Sequence, residues 1–504
     1  MSEIPHSVLR KQHLTLDSPR IVFFYPGTGW DIKNVTALLP LSVLYMVRPL
    51  RLAGFDVRII DQRLDRNWRN TLRTELQIPQ TIALGISSMT GHQIAGGIEA
   101  ASIARKARPG LPVIWGGVHP SLMPRQTLEN DGADIVVRGE GETAIVNLAE
   151  ALRDEKPFTG LPGVAYFDGN TYRENGPASA VKLDDVLLPD YDAVNVEDYI
   201  TTQTLGLRDL AITTSRGCPN RCAYCYNVPY SGRRWRAQSA AGVLAHIEKI
   251  VTDFDVQGVL VKDDNFFVDK KRAGEIAAGL PKLPRKVVVR AECRADYIAR
   301  KWDQDFLNEL SARGFREMTV GAESGSDETL ELLCKDITVA DIREANRRLA
   351  KAKIAAKFTF MAGYPNESPA DIRKTLDLML DLIRESPYAR VTPLHLFAPY
   401  PGTELFDEAI RQGYEPPKDL AGWADVDFHQ VSLPWLPGRF ARKLERASVA
   451  TYFLDGRTIP EYFARQPLRR ILAKIYGWIV RLRAKRFFFA LMPEIGLINR
   501  LRKN

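Results

Sequence analysis

The chain has 504 residues, 45% of them apolar and 26% charged, proportions that exclude wholesale disorder, a collagen-like repeat and a disulfide-stapled miniprotein. At about 150 residues per domain, one core cannot hold it and roughly three units are expected. Lys and Arg total 69 against 61 acids, giving +8, yet residues 468–504 alone carry ten bases and one acid, which leaves residues 1–467 at −1. The basicity therefore belongs to the terminus and points to an anionic surface, not to a body-wide nucleic-acid face.

Residues 1–154 alternate short β-branched runs with helix-like stretches, the pattern of a doubly wound parallel sheet. Strands are expected at 21–25, 56–60, 81–86, 113–115 and 135–138, with helical segments at 40–53, 91–107, 124–131 and 142–153 and a kink at Pro49. Three loops at strand ends, where ligands of such sheets sit, are rich in small residues: Ser87-Ser88-Met89-Thr90-Gly91, Gly116-Gly117-Val118-His119-Pro120 and Gly139-Glu140-Gly141-Glu142. His119 is either a cofactor contact or a locally hydrogen-bonded loop histidine. Residues 155–208 lack periodicity and read as a linker with some small strands.

From 209 to 400 the βα alternation resumes, with strands expected at 210–214, 258–262, 287–292, 318–323, 357–361 and 391–397. Consecutive starts are 48, 29, 31, 39 and 34 residues apart, the spacing of βα units, so an α/β partial (β/α)6 barrel is expected with its chemistry at the carboxyl-end loops. Residues 401–467 are irregular and read as an extension closing the substrate side. Within 468–504, Ile471, Leu472, Ile475, Trp478, Ile479 and Leu482 share one helical face at 100° per residue, bordered by basic residues. That stripe fits either an anionic membrane surface or docking on the protein with its charges solvated.

The strongest chemical signal is Cys218-Pro219-Asn220-Arg221-Cys222-Ala223-Tyr224-Cys225, directly after the first barrel strand. Three thiolates on one loop can hold three irons of a 4Fe–4S cluster and leave the fourth open. Zinc is the competing metal, but a closed zinc site needs a fourth ligand and no Cys or His lies between Tyr226 and Ala245. With five cysteines in all, a reducing cytoplasmic setting is expected. Cys293 and Cys334 read as structural thiols. The N-terminus lacks a signal-peptide pattern and no apolar run reaches the ~18 residues of a spanning helix.

The spacing C-x3-C-x-(aromatic)-C resembles the radical S-adenosylmethionine (radical SAM) superfamily. The resemblance implies that Cys218, Cys222 and Cys225 bind the cluster, with Tyr224 at the aromatic position. The open iron would chelate S-adenosylmethionine, whose reductive cleavage gives methionine and a 5′-deoxyadenosyl radical. It further implies cofactor contacts at Asp264 and Asn265 after the second strand, at Glu323 and Ser324 after the fourth and at Gly363 after the fifth. As bland alternatives, Asp264 or Asn265 would cap the next helix, and Glu292 would neutralise Arg290 or Arg294. His395 reads as a core or substrate-pocket residue.

The N-terminal part is similar to the cobalamin-binding domain of one branch of this superfamily, which implies contacts from Ser88, Thr90, Gly116, Gly117, His119, Gly139 and Glu140. The Asp-x-His-x-x-Gly motif that supplies a histidine to cobalt is missing, because no histidine occurs between His13 and His92. Methyl transfer to an unactivated carbon of an apolar lipid or tetrapyrrole-like substrate is the expected outcome, with oxidative cyclisation or rearrangement as the alternative. A flavodoxin or ferredoxin would supply electrons. A transfer-RNA methylthiotransferase would need a second cluster and an RNA-binding appendage; a non-catalytic corrinoid or lipid scaffold would not need the cysteine triplet. No nucleic-acid partner is expected, and localisation is expected to be cytoplasmic, peripheral on the inner face of the membrane.

Overall fold

The computed structural model describes residues 17–29, 31, 33–178, 180–202, 207–427, 433–455, 467–489 and 492. Residues 1–16, the stretch 456–466 and the tail beyond Met492 lie outside these, as do Ala490 and Leu491 of the basic terminus.

The first sheet has seven strands: β1 (Arg20–Tyr25), β2 (Asp56–Asp61), β3 (Thr81–Ser87), β4 (Val113–Gly116), β5 (Ile135–Val137), β6 (Val164–Asp168) and β7 (Thr171–Glu174). Their order is β2-β1-β3-β4-β5-β6-β7. The first five run parallel, and their near-continuous Val, Ile and Phe runs are buried on both faces, as a parallel sheet between helices requires. β6 and β7 add an antiparallel edge, so part of the expected linker extends this sheet.

The expected helices are found at Leu41–Leu52, Gln93–Ala107 and Glu142–Arg153, and the segment 124–131 holds a short helix, Pro124–Leu128, just after another at Val118–Leu122. The first runs through Pro49, three residues from its end, and forgoes there the bond that an N–H at this position would make to the Tyr45 carbonyl. A further helix, Trp68–Gln77, was not anticipated; it buries Trp68, Leu72 and Leu76 at i, i+4 and i+8.

The second sheet is all parallel, in the order β15-β14-β13-β12-β11-β8. Its members are β8 (Asp209–Ile212), β11 (Gly258–Val261), β12 (Val288–Cys293), β13 (Phe315–Glu323), β14 (Ala355–Ala362) and β15 (Ala389–Leu396). A two-stranded ribbon, β9 (Ser215–Arg216) with β10 (Arg236–Ala237), brackets the cysteine loop. Inside the barrel Arg290 pairs with Asp209 at 2.5 Å, both almost fully buried, and lies 4.0 Å from Glu317. Glu292 pairs instead with Lys262 at 3.1 Å, and Arg294 with Asp296 at 2.8 Å. The expected mutual neutralisation of Glu292 by Arg290 or Arg294 is therefore replaced by partners from other strands for Arg290 and Glu292 and by a local one for Arg294.

The helix Gly438–Thr451 packs along β15, the edge strand, where Thr451 Oγ1 accepts from the Leu394 amide at 2.9 Å. Covering this edge leaves fewer unpaired strand groups exposed. The helix Pro467–Arg486 lies outside it and against the helix Pro369–Glu385.

Candidate cofactor sites at the facing strand ends

The cysteine loop is held from four sides. Gly217, immediately before Cys218, has φ +84°, and a Cβ there would lie 1.9 Å from the Arg234 carbonyl oxygen. Only glycine fits that approach. Its amide donates to Asp264 Oδ2 at 2.9 Å. The Ala223 amide donates to Leu333 O at 3.0 Å, and Ala223 O accepts from the Leu405 amide at 2.9 Å. Beneath the loop Ala223, Leu333, Tyr364, Phe397 and Leu405 form a small separate core.

Polar donors surround the thiols. The Asn220 and Asn265 side-chain amides reach Cys218 Sγ at 3.1 and 3.8 Å, and Arg294 Nη1 stands 3.9 Å from Cys222 Sγ. Donors to sulfur stabilise anionic cluster ligands and tune their potential. Among the described residues no three Cys, His, Asp or Glu side chains gather around one ion position; the thiolates of a cubane each bind a different iron.

Lys335, which sequence reasoning missed, is buried beside this loop. Its Nζ donates to Tyr224 Oη at 3.0 Å and to Glu323 Oε1 at 2.9 Å. Burial alone would lower the ammonium's pKa, but Glu323 and the Cys222 sulfur outweigh that and hold it raised. The three residues tie the aromatic position of the cysteine motif to the end of β13. Arg294 donates to the Lys335 carbonyl, extending the network.

The remaining barrel positions separate into two groups. Asn265 Nδ2 also reaches Tyr297 Oη at 3.3 Å, while its buried Oδ1 has no partner. A buried acceptor or donor left open beside the cluster loop fits a cofactor group. Asp264 faces the cavity described below. Its neighbour Asp263 is structural: it accepts from the Thr214 amide and hydroxyl, both at 2.6 Å, and from Ser215 Oγ at 2.7 Å. Ser324 reaches the strand end, but its buried hydroxyl is engaged by Thr375 Oγ1 at 3.1 Å and the Ser326 amide at 3.2 Å. It shapes the turn, its own amide donating to Ala322 O at 2.8 Å.

The turn at Gly363 is anchored by buried Glu367, whose Oε2 accepts from the Gly363 and Tyr364 amides at 2.6 and 3.2 Å. Burial pushes the Glu367 carboxyl up to about 8, against the lowering effect of those amides. Between its ordinary value and about 8 the fold holds a proton that the unfolded chain has released, so this group's stabilisation is lost as pH rises through that window. Glu367→Gln retains an acceptor for both amides without the charge. Its melting temperature is expected to gain on the wild type progressively from about pH 4.5 to 8; a constant difference across that range would contradict the assignment.

A cavity of 800 Å³ lies between the two sheets, bounded by Ser87, Gly116, Gly117, Gly139 and Glu140 from the first and by Arg216, Gly217, Tyr226 and Tyr230 around the cysteine loop. The carboxyl ends of β3, β4 and β5 of the first sheet and of β8 and β11 of the second thus open into one space. Glu140 is paired with Arg216 at 2.9 Å and with Arg236, and Glu142 with Arg216, so the wall is an ion-pair network across the two domains. Tyr230 Oη donates to Gly139 O at 3.0 Å. Gly117, at φ +98°, packs so tightly that a Cβ would lie 2.5 Å from the Ser88 carbonyl oxygen.

Ser88, Thr90 and His119 do not line this cavity. His119 is fully buried, bonded through Nδ1 to Thr90 Oγ1 at 2.9 Å and packed against Trp423 with ring centroids 5.3 Å apart. Burial pulls its imidazole down to about 4, so it is neutral. The short helix Val118–Leu122 turns the His119 side chain inward, where Nδ1 has its local bond and the buried Nε2 has no hydrogen-bond partner among the described residues. No histidine is among the described residues lining the cavity. His395 stands in β15, likewise pulled down to about 4 by burial. Cys293 is buried, its thiol raised well above the ordinary range, chiefly by desolvation.

Comparison with known proteins follows the same division. Residues 35–149 match the B12 binding domain and residues 212–379 the radical SAM superfamily. Those two domains in one chain define a cobalamin-dependent radical SAM enzyme, which uses a 4Fe–4S cluster, S-adenosylmethionine and cobalamin. Among its relatives is an uncharacterized methyltransferase of Pyrococcus horikoshii, 26% identical over 448 residues, covering 88% of this chain and 95% of that protein. The anaerobic magnesium-protoporphyrin IX monomethyl ester cyclase of Cereibacter sphaeroides is 28% identical over 400 residues, covering 77% of this chain and 63% of the cyclase. In fold, the chain resembles the cobalamin-dependent S-adenosylmethionine radical enzyme OxsB, with a TM-score of 0.74 at 17% identity over 97% of this chain and 75% of that one.

Proposed function

We propose that the protein transfers a methyl group from S-adenosylmethionine to an unactivated carbon of an apolar substrate of lipid or tetrapyrrole type, working at the inner face of a membrane. The observation that carries this reading is the cavity between the glycine-rich strand ends of the first sheet and the ends of β8 and β11 beside the cysteine loop. When bound, the cluster supplies the electron that cleaves S-adenosylmethionine, and cobalamin supplies a cobalt centre able to carry a methyl group.

The chain's own residues fit those groups. Cys218, Cys222 and Cys225 would ligate the cluster, with Asn220, Asn265 and Arg294 stabilising its charge. Asp264, Asn265, Glu323, Ser324 and Gly363 would hold S-adenosylmethionine, and Lys335 would fix Glu323 and Tyr224. Gly116, Gly117, Gly139 and Glu140 would admit the corrin, the glycines by leaving backbone exposed to it. Ser88, Thr90 and His119 would support that wall from behind. Closing the space between two domains excludes water from a reactive centre. A flavodoxin or ferredoxin is the expected electron source.

Oxidative cyclisation is the second reading, supported by the similarity to the porphyrin cyclase. The two separate in one experiment. Enzyme supplied with methyl-deuterated S-adenosylmethionine and a lipid and tetrapyrrole extract should yield a product heavier by one deuterated methyl group. A product that has lost hydrogen without gaining label would replace methyl transfer by cyclisation.

A further inference from the structure

We propose that the helix Pro467–Arg486 is a rigid docking surface for an anionic lipid bilayer, fixed to the protein by one narrow face and presenting an apolar face outward. Ala473, Gly477, Val480 and Ala484 form the buried seam. A Cβ at Gly477 would stand 2.5 Å from the Phe453 carbonyl oxygen, so the helix backbone is held close. Arg481 Nε donates to Leu454 O at 2.9 Å, and Arg373 Nη2 to Lys485 O at 3.1 Å. Tyr476 packs edge-on to Phe453 at 5.0 Å.

The opposite face is where the apolar side chains are. Ile471, Leu472 and Ile475 are each 56% exposed and Trp478 is 63% exposed, with Ile479 and Leu482 completing the stripe. Of the ten large apolar side chains exposed among the described residues, seven lie between Ile471 and Phe488, a concentration that marks an interaction surface. Lys474, Lys485 and Arg486 are exposed on or beside that stripe, and the helix contains no acid.

Charge complementarity selects the occupant. Apolar residues ringed by cations match the headgroup boundary of an anionic bilayer, where each Lys or Arg adds attraction. A second copy placed face to face would bring like charges together. No helix among the described residues is long and apolar enough to cross a membrane, so contact would be lateral. The proposal gives the apolar-substrate reading its membrane surface and rests on it for purpose, but lipid binding is read without turnover, so either can fail alone.

The test uses the full chain in flotation with vesicles of phosphatidylglycerol and phosphatidylcholine, beside vesicles of phosphatidylcholine alone. Flotation is expected with the anionic vesicles only, falling roughly tenfold in high salt and by at least that much in the double variant Ile475→Glu, Trp478→Glu. Both positions are exposed, so the variant should keep its melting temperature and its S-adenosylmethionine cleavage. No flotation with anionic vesicles, equal flotation of the variant, or a dimer that the variant converts to monomer would each overturn the proposal.

Discussion

Cys222→Ala abolishes 5′-deoxyadenosine formation, to background, while the protein still binds cobalamin. Cys222 is the buried member of the triplet, and its sulfur is the one faced by Arg294. Its loss removes one of three iron ligands and takes the sulfur from beside the guanidinium, which keeps its ion pair with Asp296. The cavity between the sheets does not include Cys222 among its lining residues, so corrinoid binding should persist. Iron and sulfide content, 5′-deoxyadenosine and bound cobalamin are measured on the same anaerobic preparation. An active variant would remove the cluster from this loop.

Gly116→Trp has the reciprocal effect: cobalamin affinity falls at least about 100-fold, roughly 2.7 kcal/mol, while S-adenosylmethionine cleavage continues. A Cβ at Gly116 meets only the Val137 carbonyl oxygen, at 3.6 Å, which is ordinary contact, so the backbone tolerates a side chain and the indole enters the cavity. Gly117→Ala provides the contrast. There the left-handed φ and the Ser88 carbonyl combine, and the expected result is loss of stability by about 1–3 kcal/mol. Equilibrium dialysis with cobalamin and thermal melts separate the two variants. Unchanged cobalamin affinity in Gly116→Trp would place the corrin elsewhere.

The strands were legible because parallel sheets bury both faces and leave continuous β-branched runs. All six barrel strands and the first five of the N-terminal sheet fall where those runs occur. The helix Trp68–Gln77 was harder, since only three of its ten residues are large and buried. The hairpin of β6 and β7 was concealed by exposed polar positions on an edge. For the cluster, spacing was sufficient. Lys335 and Arg216 carried no local signal, because their partners Tyr224 and Glu140 are 111 and 76 residues away. For His119 the sequence left two readings open: its glycine neighbours line the cavity, whereas its own side chain is buried against Trp423. In the C-terminal helix the stripe was legible, whereas the docking face was not. Small residues at 473, 477 and 484 give a weak hydrophobic signal but allow the closest backbone approach.

The most direct measurement is anaerobic reconstitution of the full chain with iron, sulfide and cobalamin, followed by S-adenosylmethionine and reductant. 5′-Deoxyadenosine and bound corrinoid are quantified together. Both should be present, with corrinoid close to one per chain. Formation of 5′-deoxyadenosine without any bound corrinoid would contradict the assignment of the cavity to cobalamin and rule out methyl transfer by cobalamin.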